Sequence, residues 1–196
     1  MPIDPADVGG SYKETVRVNS QSGKAGIGFL LEEHYGVALP RDILVEFSTE
    51  VQKLTEELDR EVKPSEIFDR LIETYTNQEG PYKLIDYDLL SGREQDQRCV
   101  ARIELSESTV TVDAEGSGPI EAFVNALVET LNEPLTVVAY HEHSLGEGSD
   151  AQAISILAID DESDGSRCYG IGVSRNTITA SLYAIVSAMN RRWAKA

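Results

Sequence analysis

The chain has 196 residues, 41% hydrophobic and 26% charged, which suits one domain of ordinary size or two small ones with a real core. Its net charge of −17 gives a surface that repels phosphate backbones and argues against a nucleic-acid partner. No apolar run nears the roughly 20 residues of a membrane helix. The opening MPIDPADVGG lacks the basic and apolar regions of a secretory signal, so no membrane partner is expected and a cytoplasmic location is.

Residues 12–18 alternate, Tyr12, Glu14, Val16 and Val18 against Lys13, Thr15 and Arg17, the pattern of a short strand. SQSGKAGIGF then reads as a glycine-rich turn leading into LLEEHYG, and Pro40 punctuates the chain. From Asp42 to Asp59, Ile43, Phe47, Val51, Leu54 and Leu58 fall on one helix face. A second helix is expected from Pro64 to Thr76, with Ile67, Phe68, Leu71, Ile72 and Tyr75 inward and Pro64 in its first turn. Both helices are one-faced and need a partner surface. NQEGP, residues 77–81, reads as a linker.

Strands follow at Tyr82–Leu90, Arg98–Ser106 and Thr109–Ala114, the second alternating clearly through Cys99, Ala101, Ile103 and Leu105. A helix starts near Gly118, with Ile120, Phe123, Val124, Leu127 and Leu131 inward. The same order then recurs, with strands at 134–142, 151–159 and 167–173 and a helix from Thr177. GPIEAFVNAL (118–127) lies over NTITASLYAI (176–185), with an apolar residue third and alanine fifth in both; Gly118 and Asn176 each suit the residue before a helix. The fold class is therefore α+β: a helical segment, then two βββα repeats expected to pack sheet to sheet with a helix on each outer side.

His141 and His143 share a face of one strand, but zinc needs one or two further ligands and no cysteine cluster stands nearby, so no metal site is expected. Cys99 and Cys168 lack ligand spacing and read as reduced core thiols. NSQSGK (19–24) lacks the spacing and context of a phosphate loop. The small residues Ala151 and Ala153 on an apolar strand leave room for a ligand or a closely packed helix. The turns before Pro119 and Thr177 open helices whose first N–H groups suit a carboxylate, so two such termini can hold a compact amino acid or be plain turns.

RVNSQSGKAGIGFLLEEHYGVALPRDILVEFSTEVQ, GSGPIEAF, YHEHSLGEGSDAQA and NTITASLYAIVSAMNR together resemble the C-terminal part of 2-isopropylmalate synthases, in their longer actinobacterial and fungal form, from Ile3 to Arg192. The resemblance implies an enzyme family that condenses acetyl-CoA with 2-oxoisovalerate and is inhibited by leucine. Its catalysis sits on a TIM barrel with a divalent metal. Such a barrel takes about 250 residues, so this chain lacks it and should be inactive alone, with no cofactor of its own. The start inside what resembles a continuous linker suggests an excised piece.

By the resemblance, residues 1–79 are linker subdomains, with Tyr12 an accessory, signal-transmitting residue. Residues 80–196 are a regulatory domain that forms a homodimer, binds leucine as effector and partners the barrel of the same polypeptide or complex. The implied effector residues are Gly116, Gly118, Pro119, Ile120, Val137, Tyr140, Ser144, Ala151, Ala153 and, from the second helix start, Ile178. Ser144 stands where relatives often carry alanine, which makes one pocket wall more polar. Citramalate synthases have a similar, isoleucine-binding domain, and a standalone branched-chain amino-acid sensor or dimerisation module is the remaining alternative.

Overall fold

The computed structural model describes residues 23–76, 80–91, 96–106, 108–146, 148 and 150–195; Tyr12 and the strand expected around it lie outside them. The first described element corrects the reading of the glycine-rich segment as a turn. Lys24–Tyr35 is a helix, α1, although it contains Gly26 and Gly28. Tertiary packing overrides the poor propensity of those glycines. Ile27, Leu30 and Leu31, spaced three and four apart, are buried. At Gly28 a Cβ would stand 3.2 Å from Leu44 Cδ2, so the glycine admits the next helix. Gly36 stops α1 at φ 66°, its N–H bonded to Glu32 O and that of Val37 to Leu31 O. The two expected helices follow as α2, Arg41–Leu58, and α3, Pro64–Tyr75.

The first repeat comprises β1, Tyr82–Ser91, β2, Gln97–Leu105, β3, Ser108–Gly116, and α4, Pro119–Leu131. The second comprises β4, Leu135–Leu145, β5, Gln152–Asp161, β6, Arg167–Ser174, and α5, Thr177–Lys195. Each forms an antiparallel three-stranded sheet, β1-β2-β3 and β4-β5-β6, so the α+β class with two βββα repeats is present. The repetition reaches into irregular detail. A bulge interrupts β1 at Ile85 and β4 at Val138, in each case the fourth residue of the strand. Two residues later stand Tyr87 and Tyr140, both reaching α5: Tyr87 Oη lies 2.7 Å from Thr179 Oγ1, and Tyr140 Oη 3.1 Å from Ser181 Oγ.

The layering differs from the expected one. The helices do not cover the outsides of two facing sheets; they lie against the sheets' inner faces and touch each other. α4 rests on β2 and β3, α5 on β5 and β6, and one core joins Cys99, Ala101 and Ile103 of the first sheet, both helices, and Leu157, Ile159 and Cys168 of the second. The physical reason lies in the strands. β2 is apolar on one face only, and its other face carries Arg98 and Arg102, ion-paired to Asp113 and Asp86. β5 is buried on both faces from Ala153 to Ile159, so it needs a cover on each side. α5 supplies one. α1, α2 and α3 supply the other, packing Ile43, Phe47, Ile67, Leu71 and Tyr75 onto Ile154, Ile156, Ala158 and Ile171.

Close approach of α5 is built on glycine. A Cβ at Gly172 would stand 2.0 Å from Ala180 O, and one at Gly170 2.0 Å from Ala184 O. Cys99 and Cys168 are buried in the shared core with no disulfide between them, and burial pushes the Cys99 thiol up to about 11. Among the described residues no helix is long and apolar enough to cross a membrane.

Candidate functional site

The site begins where β3 turns into α4. A Cβ at Gly116 would meet Ala122 N at 2.5 Å, so only glycine lets the strand end fold straight onto the helix. Gly118 caps α4 in an extended conformation, and Pro119 occupies the first helical position, where a missing N–H costs nothing. Ser117 donates from its backbone N (2.9 Å) and its hydroxyl to the Glu121 carboxylate. The hydroxyl bond, then the backbone bond, hold that carboxyl below its usual range.

Between α4 and the start of β4 lies a cavity of about 620 Å³. Ile120, Val124 and Val128 form its helical wall, Leu135 and Val137 its strand wall, and Ser117, Glu121, Asn125, Thr136 and Glu162 its polar rim. Four of the expected effector residues, Gly118, Pro119, Ile120 and Val137, line this groove. Ser144, Ala151 and Ala153 line a different, smaller cavity of about 150 Å³, together with Glu142, His143, Gln152, Arg175 and Thr177. One copy of the chain thus divides the expected residues between two hollows.

Tyr140 lines neither hollow. The bulge at Val138 is what places it: without the extra residue, Val137 and Tyr140 would face opposite ways. With it, Val137 pairs with Ile159 and Tyr140 with Leu157, both on the inner face. The residue is 40% exposed, and its hydroxyl meets Glu142 (2.5 Å) and Ser181, whose hydroxyl in turn lies 3.0 Å from that of the buried Ser155. Burial first, then the Glu142 bond, raises the Tyr140 phenol above its ordinary value.

Gly116 shapes the turn without lining the groove. Ile178 is the repeat counterpart of Ile120 and packs against the shared core. The positions that correspond to Val124, Val128 and Val137 in the other repeat, Leu182 and Val186 of α5 and Leu84 of β1, are buried. Val124, Val128 and Leu135 were not singled out as site residues from the sequence. Val124 and Val128 follow Ile120 at steps of four, so the same helix face already pointed to them.

His141 and His143 lie on the face opposite Tyr140, paired with Ile156 and Ile154. His143 Nε2 lies 3.1 Å from Ala38 O, and His141 is exposed. Among the described residues no three His, Cys, Asp or Glu side chains converge as metal ligands do.

Comparison with known proteins bears on this geometry. Residues 61–193 match the model of the LeuA allosteric (dimerisation) domain, and residues 1–32 that of the alpha-isopropylmalate synthase post-catalytic domain-like family. The chain is 42% identical to a 2-isopropylmalate synthase of Rhizobium meliloti (strain 1021), covering 97% of this chain and 34% of that protein. It is 40% identical to that of Brucella suis biovar 1 (strain 1330), covering 100% and 35%, and 37% identical to that of Ralstonia nicotianae (strain ATCC BAA-1114 / GMI1000), covering 97% and 33%. The chain thus spans about a third of the length of these relatives.

Proposed function

The chain belongs to the LeuA allosteric (dimerisation) domain family, and from that premise we propose that it is the regulatory region of a 2-isopropylmalate synthase, binding leucine where two copies meet. Condensation of acetyl-CoA with 2-oxoisovalerate, and the divalent metal it uses, belong to a barrel outside this chain. Feedback inhibition arises because leucine favours one arrangement of the dimer over another.

The open α4–β4 groove carries this reading. Its aliphatic walls, Ile120, Val124, Val128, Leu135 and Val137, suit a branched side chain. Burying leucine's side chain there contributes roughly 1.5–3 kcal/mol. The carboxylate meets the positive start of α4, and the ammonium meets the acidic rim formed by Glu121 and Glu162. A two-fold interface presents the same surface on both copies. The Ser144–Ala151–Ala153 hollow of one copy then completes the groove of the other.

Calorimetry on the chain and two variants tests this. Ile120→Trp fills the groove and Ala151→Trp the smaller hollow; each should weaken leucine about tenfold or more if both contribute to one composite site. Unchanged affinity in Ile120→Trp contradicts the groove assignment. Unchanged affinity in Ala151→Trp alone contradicts the composite site.

A further inference from the structure

Three consecutive residues of α5 hold three separate parts of the molecule. Successive helix positions point about 100° apart, so a short stretch can address three directions. Arg192 faces the end of the α4–β4 groove. Its Nη1 donates to Glu133 Oε2 at 2.6 Å, and its Nε lies 2.5 Å from Asp161 Oδ2. These carboxylates directly flank the groove: Leu135 and Glu162 line it, and Glu162 N donates to Pro134 O at 2.7 Å. Thr136 also bonds Glu162, so this end of the groove is one hydrogen-bonded unit.

Arg191 faces the other way. Nη2 donates to Glu46 Oε1 of α2 at 2.8 Å, Nη1 to Tyr169 O at 2.6 Å, and the guanidinium lies 4.1 Å over the ring of Tyr75 in α3. The Tyr75 hydroxyl donates to the same Glu46 oxygen at 3.1 Å. Asn190, fully buried, secures the helix between them: it accepts from Tyr82 N at 3.0 Å and donates to Tyr82 O at 2.8 Å.

We infer that the Asn190–Arg191–Arg192 turn of α5 is the lever that passes the state of the α4–β4 groove to the helices α2 and α3. The inference rests on the leucine reading above and adds a route for its signal. The Arg191 and Arg192 side chains are 10% and 24% exposed and their partners Glu46 and Glu133 35% and 17%, so both pairs are partly shielded from solvent. A ligand that shifts Glu133 or Asp161 pulls Arg192. The intact backbone ladder of a helix turn does not absorb that shift, so Arg191 moves with it, and Glu46 and Tyr75 follow. Chains of packed side chains and charge pairs of this kind are one physical carrier of coupling between separated sites.

Hydrogen exchange on the whole chain, with and without leucine, tests the lever, beside calorimetry on the same samples. In the parent, leucine should slow exchange in α4 and β4 and alter it in α2 and α3. Arg191→Met keeps the aliphatic stem and should retain leucine binding and the α4–β4 response while losing the response of α2 and α3. Glu46→Gln, which keeps acceptors for Arg191 and Tyr75 and so folds more safely, should weaken that remote response. Leucine binding with α2 and α3 silent in the parent, or responding in both variants as strongly as in the parent, overturns the lever alone. Absence of any leucine heat, with α4 and β4 unchanged, overturns the leucine reading and the lever with it.

Discussion

Replacing Gly172 by alanine adds a single methyl group at the tightest contact between sheet and helix. That methyl would stand 2.0 Å from Ala180 O. An ordinary carbon–oxygen contact is about 3.3 Å, so α5 must retreat by roughly 1.3 Å. The obstacle is backbone inside a helix, which cannot rotate away as a side chain can. Retreat would also loosen Leu182, Ile185 and Met189 in the shared core. Overpacking of this kind costs about 3 kcal/mol at the upper end of its usual range. Loss of chain entropy in the unfolded state offsets roughly 0.4–1 kcal/mol. A net loss of about 2 kcal/mol is expected, or roughly 4–8 °C in Tm for a chain of this size. Gly118→Ala is the control, because a Cβ there meets nothing within 4 Å. Its weaker capping and its entropy gain nearly cancel, leaving a change within about 0.5 kcal/mol. Urea unfolding followed by far-UV circular dichroism compares the two. If Gly172→Ala proves as stable as Gly118→Ala, the close-packed arrangement of α5 on β6 is wrong.

Asn190→Leu strands the N–H and C=O of Tyr82 and should cost about 2 kcal/mol or more in the same unfolding assay; half-buried Asn125→Ala, which removes a solvent-exposed bond to Glu115 O, should cost far less. Asp161 is held below its ordinary carboxyl value, chiefly by the Ser163 hydroxyl and also by Arg192. A lowered folded value means stability present at neutral pH and lost as pH falls below about 4. Asp161→Asn should therefore unfold with a shallower dependence on acid than the parent, measured as urea midpoints from neutral to acid. The Cys99 thiol, pushed up to about 11 by burial, should resist alkylation at mildly alkaline pH until denaturant is added; rapid labelling of the folded chain would contradict its burial.

The sequence carried much of this arrangement in its periodicities. α2 and α3 announce themselves through Ile43, Phe47, Val51 and Ile67, Leu71, Tyr75, and the second repeat through its echo of the first. α1 was illegible because Gly26 and Gly28 look like turn residues, and only Leu44 packed against Gly28 explains why the helix carries that second glycine. The layer order was half legible: the run of β5 from Ala153 to Ile159, apolar except for Ser155, calls for cover on both faces, but not for which helices provide it. The candidate site was read in the sequence as residue types and helix starts. Its geometry was not, because the bulge at Val138 sets which residues share a face with Tyr140, and a bulge leaves no mark on a pattern of alternation. Nor does a single chain's sequence show that Gly118 and Ala151 line separate hollows.

Titration of leucine, isoleucine and valine into the chain, with sedimentation velocity on the same samples, addresses the effector claim directly. Saturable heat with leucine at one molecule per chain, in a dimer that binds isoleucine and valine more weakly, is the predicted result. A monomer, or a dimer that gives no heat with any of the three amino acids, would contradict it.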